Sequence, residues 1–174
     1  PTDVDSVLTP SGLVTVVDQA DLFSDSAETE LGLMASRLGH QYTMDLVIVT
    51  TLDAEGKSSM EYADDYFDYN DYGADSESSG VLFLIDMDNR EFYISTTGRA
   101  IRFYTDSRIE SSLDQIEPDM IGGNYADAAM TFLVATEQWL KAGIPSNQYT
   151  EVVTPKVFRL EWYEILIAVV LAIV

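Results

Sequence analysis

The chain has 174 residues, of which 47% are hydrophobic and 11% aromatic, and this composition favours a folded domain with a sizeable core over intrinsic disorder. Its formal charge of −21, from 30 acidic and 9 basic side chains, would repel phosphate backbones and argues against a nucleic-acid partner. The lack of cysteine excludes disulfide bonds, thiolate catalysis and cysteine-ligated zinc, and a single histidine, His40, excludes a histidine-rich metal site.

The acidic charge has two interpretations. Many carboxylates in a small volume gain from binding Ca²⁺ or Mg²⁺, because both ions prefer oxygen ligands. The alternative is a solvated acidic surface that keeps the protein soluble and holds no ion. Which interpretation holds depends on where the fold gathers the carboxylates.

The first third of the chain is predicted to form a strand, a helix and a buried strand. Residues 13–19, LVTVVDQ, contain the β-branched side chains typical of strands. Residues 22–39 have apolar side chains at helical spacing, and Gly39 is the predicted end of this helix. Residues 45–52, DLVIVTTL, are a continuous apolar run, which is the pattern of a strand buried on both faces.

A second helix and the strongest strand signal follow. Residues 57–69 place Met60, Ala63 and Phe67 on one helical face, while most of their aspartates fall elsewhere. Residues 80–88, GVLFLIDMD, are the second buried strand. A strand, a helix and a strand in this order predict a parallel pair with a right-handed crossover.

The remaining elements complete an α/β fold. Residues 91–98 alternate apolar and polar side chains after a tight turn, which predicts an antiparallel hairpin partner at the edge of the sheet. Two helices follow, one over residues 105–118 that ends at Pro118 and one that begins after Asn124. Together these elements predict a three-layer α/β/α sandwich. Its mixed sheet is mostly parallel and has a C-terminal antiparallel hairpin strand.

The two ends of the chain differ in composition from its middle. Residues 1–12 form a polar lead-in, residues 13–143 the predicted domain, and residues 144–160 a linker. Residues 161–174 end in an unbroken apolar run, which predicts the start of a truncated transmembrane helix, with a core strand or helix as the alternative. The start at Pro1 fits a removed signal peptide, so we expect a membrane-anchored protein with its domain on the extracytoplasmic side.

Common catalytic and metal-binding motifs are absent from the sequence. Asp68, Asn70 and Gly73 match an EF-hand loop, but Tyr72 and Ser79 stand where this loop needs oxygen ligands. There is no phosphate-binding glycine loop and no G-x-S-x-G motif. A functional site therefore has to be sought among the carboxylates.

Carboxylates next to the predicted strands are the best candidates for such a site. Ligands of open α/β sheets bind beyond the carboxyl ends of the parallel strands. Asp86 ends the central strand and Asp88 lies two residues on, and Asp18 and Asp21 precede the first helix at the same end. We expect these four side chains to converge on a divalent cation, Ca²⁺ rather than Mg²⁺, with Arg90 in the hairpin binding an anion. The alternative is ordinary turn chemistry at Asp18 and Asp88.

A second, weaker acidic patch is predicted at the opposite end of the sheet. The second helix ends opposite the carboxyl ends of the strands, so residues 68–80 reach this end near Gly98. Asp106 is a weaker candidate metal ligand in the same place.

Five segments occur in the order and spacing of a known family. They are VVDQADLFS, LVIVTTL, EYADDYFDYNDYG, SGVLFLIDMDNREFYISTTG and YTDSRIESSLDQI. Over residues 13–142 the chain resembles the TPM domain, although Tyr72 stands where the second motif of the family has tryptophan. The positions that carry this resemblance are Asp18, Ala20, Leu22, Ala63, Phe67, Gly73, Gly80, Arg90, Gly98 and Asp106.

The resemblance implies an α/β/α sandwich and a role beside membrane proteins. The family includes thylakoid-lumen proteins linked to photosystem II repair, membrane-anchored bacterial proteins, calcium binders and acid phosphatases. We therefore expect a membrane-tethered domain that binds a divalent cation, through Asp18 and the acids after the central strand, and scaffolds a membrane protein complex. The alternative is a metal-assisted acid phosphatase that acts on phosphomonoesters.

Overall fold

Strands and helices alternate over most of the part of the chain that the computed structural model describes, residues 7–146 and 158–159. The predicted strands at residues 45–52 and 80–88 are confirmed as β2 and β3. In chain order the elements are β1 (Val16–Asp18), α1 (Asp25–Tyr42), β2 (Asp45–Thr51), α2 (Ser59–Tyr69), β3 (Gly80–Asp86), β4 (Glu91–Thr97), α3 (Ala100–Phe103), α4 (Asp106–Ile121), α5 (Tyr125–Ala142) and β5 (Phe158–Arg159).

One mixed sheet organises these elements. Its strand order is β1-β2-β3-β4-β5, with β1, β2 and β3 parallel and with β4 antiparallel to both of its neighbours. β2 and β3 are buried along their whole length because helices cover both faces of the sheet, and their sequences are continuous apolar runs for that reason. The predicted α/β fold, with its antiparallel hairpin strand, is confirmed.

Helices on the two faces of the sheet form two separate cores. α1, α4 and α5 cover one face, where the rings of Phe83 and Phe132 stack with their centroids 5.1 Å apart. α2 covers the other face, where Ala63 and Phe67 join the same cluster as Val47. Successive residues of a strand point to opposite faces, so each core takes alternate residues of β2 and β3.

Two helix ends differ from the prediction. α1 continues past Gly39, and Thr43 takes the left-handed position at its end, with a φ of 53°. Gly39 is required for close packing instead, because a Cβ atom there would lie 2.7 Å from the carbonyl oxygen of Met44. Pro118 lies inside α4 and does not end that helix.

Two packing predictions are also corrected. Met60 is 39% exposed, because α2 turns Ser59, Tyr62, Ala63 and Phe67 toward the sheet instead. β4 is not an edge strand, because β5 pairs with its outer side. The short helix α3 was not predicted.

The prediction of a membrane partner through a C-terminal helix is corrected. Within residues 7–146 and 158–159 the structure holds no helix with both the length and the apolar content that crossing a bilayer requires. The two longest helices, α1 and α5, have 18 residues each but carry charged side chains. The predicted span itself, residues 161–174, lies outside the described residues.

Candidate functional site

Asp18 closes the turn between β1 and α1. Its Oδ1 atom accepts the backbone N–H of Leu22 at 3.1 Å, and its Oδ2 atom accepts that of Phe23 at 2.7 Å. The hydroxyl of Thr50 on β2 donates to Oδ1 as well. Both carboxylate oxygens therefore already have donors from the protein, as in a capped turn.

Asp86 is fully buried and has four hydrogen-bond donors. Its Oδ1 atom accepts the backbone N–H groups of Asp88 at 3.0 Å and Asn89 at 3.1 Å. Its Oδ2 atom accepts the hydroxyl of Ser59 at 2.7 Å and the side-chain amide of Asn89 at 2.8 Å. Asp86 thus shapes the β3–β4 turn and joins it to the start of α2, which is a structural role.

The sheet places Asp18 and Asp86 on opposite faces. Asp18 lies beside Thr50 of β2, whereas Asp86 lies beside Thr51. Because consecutive residues of β2 point to opposite faces, the two carboxylates lie at the same end of the sheet but face different helix layers. Of the two carboxylates, Asp86 is the one that accepts the hydroxyl of Ser59 on α2, in agreement with this arrangement.

The other predicted ligands do not join either carboxylate. Asp88 is exposed and accepts the backbone N–H of Ala54 at 3.1 Å. Asp21 and Arg90 are exposed loop residues with φ angles of 54° and 57°. Asp106 is exposed at the start of α4 and follows β4, which returns the chain to the opposite end of the sheet.

Arginines pair with two carboxylates of the second predicted acidic patch. The Nε atom of Arg99 lies 2.8 Å from Oδ2 of Asp75, and Arg102 pairs with Glu77. Hydrogen bonds from Glu77, Ser79 and Arg99 hold the pKa of Asp75 below its usual value, against the effect of burial. This end of the sheet carries structural ion pairs.

The placement of these residues does not fit a divalent-cation site. In the described part of the chain, no three histidine, aspartate or glutamate side chains lie close enough together to hold a metal ion. The oxygens of Asp18 and Asp86 accept N–H and O–H groups that a cation would have to displace. Binding of Ca²⁺ or Mg²⁺ stays a prediction that this geometry does not support.

A calcium titration followed by amide resonances tests this conclusion. We expect no saturable shift at Asp18 or Asp86, because their oxygens are committed to backbone and side-chain donors. Titration with sodium chloride to the same ionic strengths is the control for screening of surface charge. A saturable, calcium-specific shift at both residues would restore the predicted cation site.

A different site lies where α2 meets the carboxyl ends of β1 and β2. It is a cleft of about 570 Å³, here called the α2 cleft. It has the position at which open α/β sheets bind ligands, and its size is in the range of ligand pockets. The residues that line it are Gln19, Thr51, Leu52, Asp53, Glu55, Lys57, Tyr62, Asp65, Tyr66, Tyr69 and Asn70.

Tyrosines of α2 form one wall of the cleft. Tyr62, Tyr66 and Tyr69 follow at spacings that place them on one side of the helix, and the rings of Tyr62 and Tyr66 are 6.0 Å apart. Tyr69 is 78% exposed, and Leu52, which also lines the cleft, is 64% exposed. Burial raises the pKa of Tyr66, so its phenol stays neutral and keeps its O–H donor.

A buried aromatic residue supports this wall from behind. The ring of Tyr72 lies 6.3 Å from that of Tyr66 and 5.8 Å from that of Phe67. Its hydroxyl donates to the carbonyl oxygen of Val14 at 2.9 Å, which ties α2 to the segment before β1. Burial raises the pKa of Tyr72, so it too stays a neutral donor.

Charged side chains lie at the mouth of the cleft. The Nζ atom of Lys57 is 3.0 Å from Oε2 of Glu55 and 3.1 Å from Oδ2 of Asp65. These hydrogen bonds, to Glu55 first and then to Asp65, raise the pKa of Lys57. The capping box of Ser58 and Glu61 fixes the start of α2 beside these groups.

Sequence reasoning missed the α2 cleft, although a signal was present. Tyr62, Tyr66 and Tyr69 recur at helical spacing in a segment whose acidic side chains drew attention to metal binding. None of the four predicted metal ligands lines the cleft, and neither does Arg90.

Comparisons with known proteins identify relatives for most of the chain. A family profile described as the TPM domain matches residues 16–138. The UPF0603 protein YdjH of Bacillus subtilis (strain 168) is 27% identical over 157 residues, which cover 88% of this chain and 56% of that protein. The chain thus spans little more than half the length of this relative.

Two solved structures share the fold. The N-terminal domain of a P. gingivalis protein matches with a TM-score of 0.64 and 18% identity, over 79% of this chain and 88% of that one. The N-terminal domain of the cg2496 protein from Corynebacterium glutamicum matches with a TM-score of 0.58 and 12% identity, over 80% and 88%. At such low identity these similarities show the fold alone.

Proposed function

Because the chain belongs to the TPM domain family, we propose that it forms a non-enzymatic binding domain that assists a protein complex by holding a partner segment in the α2 cleft. The observation that carries this proposal is the cleft itself, with Tyr69 and Leu52 exposed in its lining. Exposed tyrosine and leucine side chains in a concave site are typical of surfaces that are covered by a partner.

The chemistry of the cleft favours binding over catalysis. Its lining provides phenols, carboxylates, two amides and one ammonium group, and this ammonium is already paired with Glu55 and Asp65. His40, the single histidine of the chain, donates from Nδ1 to the backbone carbonyl oxygen of Ser36 on α1, in the opposite helix layer. Among the described residues, the cleft therefore lacks an activated nucleophile with a base beside it.

The alternative, a metal-assisted phosphatase, has less support. It requires a cation that activates water and an arginine that holds the phosphate. Arg90 is exposed in the β3–β4 turn and does not line the cleft, and the predicted metal ligands are separated. Phosphatase activity stays a prediction.

A protein segment is a better occupant of the cleft than a small metabolite. Tyrosine contributes a large contact area with few rotatable bonds, and it is enriched at the centres of protein interfaces. A volume of about 570 Å³ holds a few side chains of an extended segment. The family-level expectation of assistance to a complex requires such a contact.

Selection from a random library of short displayed peptides tests the proposal. We expect selected peptides to bind the wild-type domain and to lose about tenfold in affinity for the Leu52→Ser, Tyr69→Ser double variant. Both side chains are largely exposed, so the double variant should fold normally.

The matched control is Ile101→Ser on α3, since Ile101 is 56% exposed and lies outside the cleft. We expect this variant to keep wild-type affinity. Selected peptides that bind the double variant as tightly as the wild type, or a library that yields no binder, would contradict the proposed function.

A further inference from the structure

We propose that the partner segment enters the α2 cleft through a lysine or arginine side chain, and that Lys57 competes with this side chain for the same carboxylates. The inference rests on the function proposed above and adds the chemical class of the ligand. It also assigns Lys57 a regulatory role, as a resident cation that an incoming cation must displace.

Charge complementarity selects a basic segment. Asp53, Glu55 and Asp65 line the cleft, against the single ammonium of Lys57. The whole chain carries a formal charge of −21, so its field attracts cations and repels acidic or phosphorylated segments. A basic segment therefore gains both in the rate of association and in its local contacts.

The position of Lys57 marks the place of the cation. Its Nζ atom lies 3.0 Å from Glu55 and 3.1 Å from Asp65, so these two carboxylates are spaced to hold one ammonium or guanidinium group. The resident ion pairs are also partly exposed to solvent, with 39% of the Asp65 side chain accessible. Exposed pairs of this kind are weak, so Lys57 can swing away without unfolding the domain.

Aromatic rings extend this cation site along α2. Asp65 and Tyr69 are four residues apart on the same side of the helix, and Tyr66 lies beside them. A cation held by Asp65 is then within reach of tyrosine rings, whose faces attract positive charge. Arginine is favoured over lysine here, because its planar group both stacks on a ring and pairs with a carboxylate.

Binding of a synthetic Arg-Gly repeat peptide, measured by fluorescence anisotropy, tests the inference. We expect Asp65→Asn to weaken binding by about fivefold, because one carboxylate of the site loses its charge. We expect Lys57→Gln to tighten binding by about threefold, because it removes the competitor.

Two variants with the same changes of charge outside the cleft are the controls. Glu30→Gln on α1 removes one negative charge, as Asp65→Asn does, and Glu30 is exposed. Lys141→Gln on α5 removes one positive charge from an ion pair with Glu137, 3.0 Å away, as Lys57→Gln does from its own pairs. We expect both controls to bind the peptide as the wild type does.

The outcomes separate this inference from the proposed function. Equal effects of the cleft variants and their controls would show attraction to the overall acidic charge and would overturn the inference. If a Glu-Gly repeat peptide or uncharged selected peptides bind, and the Leu52→Ser, Tyr69→Ser variant loses them, the cleft is a binding site but not for cations. If Arg-Gly binding survives that double variant unchanged, the proposed function fails as well.

Discussion

Replacing Asp86 by alanine is expected to lower the free energy of unfolding by about 3–5 kcal/mol. The carboxylate is fully buried and accepts hydrogen bonds from Ser59, Asp88 and Asn89. Alanine leaves the backbone N–H groups of Asp88 and Asn89 without their acceptor, and each buried unsatisfied group costs about 1–3 kcal/mol. Ser59 keeps Glu91 as a second acceptor, 3.0 Å away. The effect follows from hydrogen bonding alone and requires no metal ion.

Urea unfolding followed by circular dichroism measures this effect. The control is Asp88→Ala in the same turn. The side chain of Asp88 is exposed and accepts one hydrogen bond, from the backbone N–H of Ala54, so its loss is expected to cost about 1 kcal/mol or less. A stability of Asp86→Ala within about 1 kcal/mol of the wild type would contradict the structural role assigned to Asp86.

Replacing Gly98 by alanine is the second change with a large expected effect, a loss of about 3–4 kcal/mol. Gly98 has a φ of 59°, which is a left-handed conformation that L-residues adopt at a cost. A Cβ atom there would also meet the carbonyl oxygen of Glu77 and lie 2.8 Å from Cα of Ser79. The neighbouring atoms are mainly backbone, so the chain between α2 and β3 would have to move.

Gly123→Ala, measured in the same unfolding experiment, separates the cost of backbone strain from the cost of the steric contact. Gly123 also has a positive φ, of 73°, but a Cβ atom there would meet nothing within 4 Å. We expect it to cost only the backbone strain, about 1–2 kcal/mol. Equal losses for both variants would mean that the close contact at Gly98 adds nothing.

The layers of the fold are predictable from the sequence because buried segments have a recognisable pattern of apolar residues. Strands covered on both faces are apolar at nearly every position, and residues 80–88 show this pattern most clearly. The ends of helices are less predictable, because a glycine serves two purposes. Gly39 suggested a helix end, yet its lack of a side chain serves the close approach of Met44.

The predicted cation site shows where sequence reasoning stops. Asp18 and Asp86 are the last residues of β1 and β3 and lie at the same end of the sheet, as expected. Whether they face each other depends on strand register, because a shift by one residue moves a side chain to the other face. The residue pattern alone does not reveal the strand register, which pairs Asp18 with Thr50 and Asp86 with Thr51.

The α2 cleft was missed for a related reason. Met60 was expected on the buried face of α2, whereas Tyr62 is buried there instead, so the predicted orientation of the helix was wrong. A cleft also depends on which loops lie beside a helix. Gln19 and Leu52 line this cleft because the strand order places the ends of β1 and β2 next to each other. Side-chain spacing along one helix carries no such information.

The most direct test of the central claim is a map of amide shifts in the wild-type domain on saturation with its tightest selected peptide. We expect the largest shifts to cluster at the α2 cleft, at Gln19, Leu52, Tyr66 and Asn70. Shifts centred on the α4–α5 surface, or at the end of the sheet where Arg99 pairs with Asp75, would contradict it.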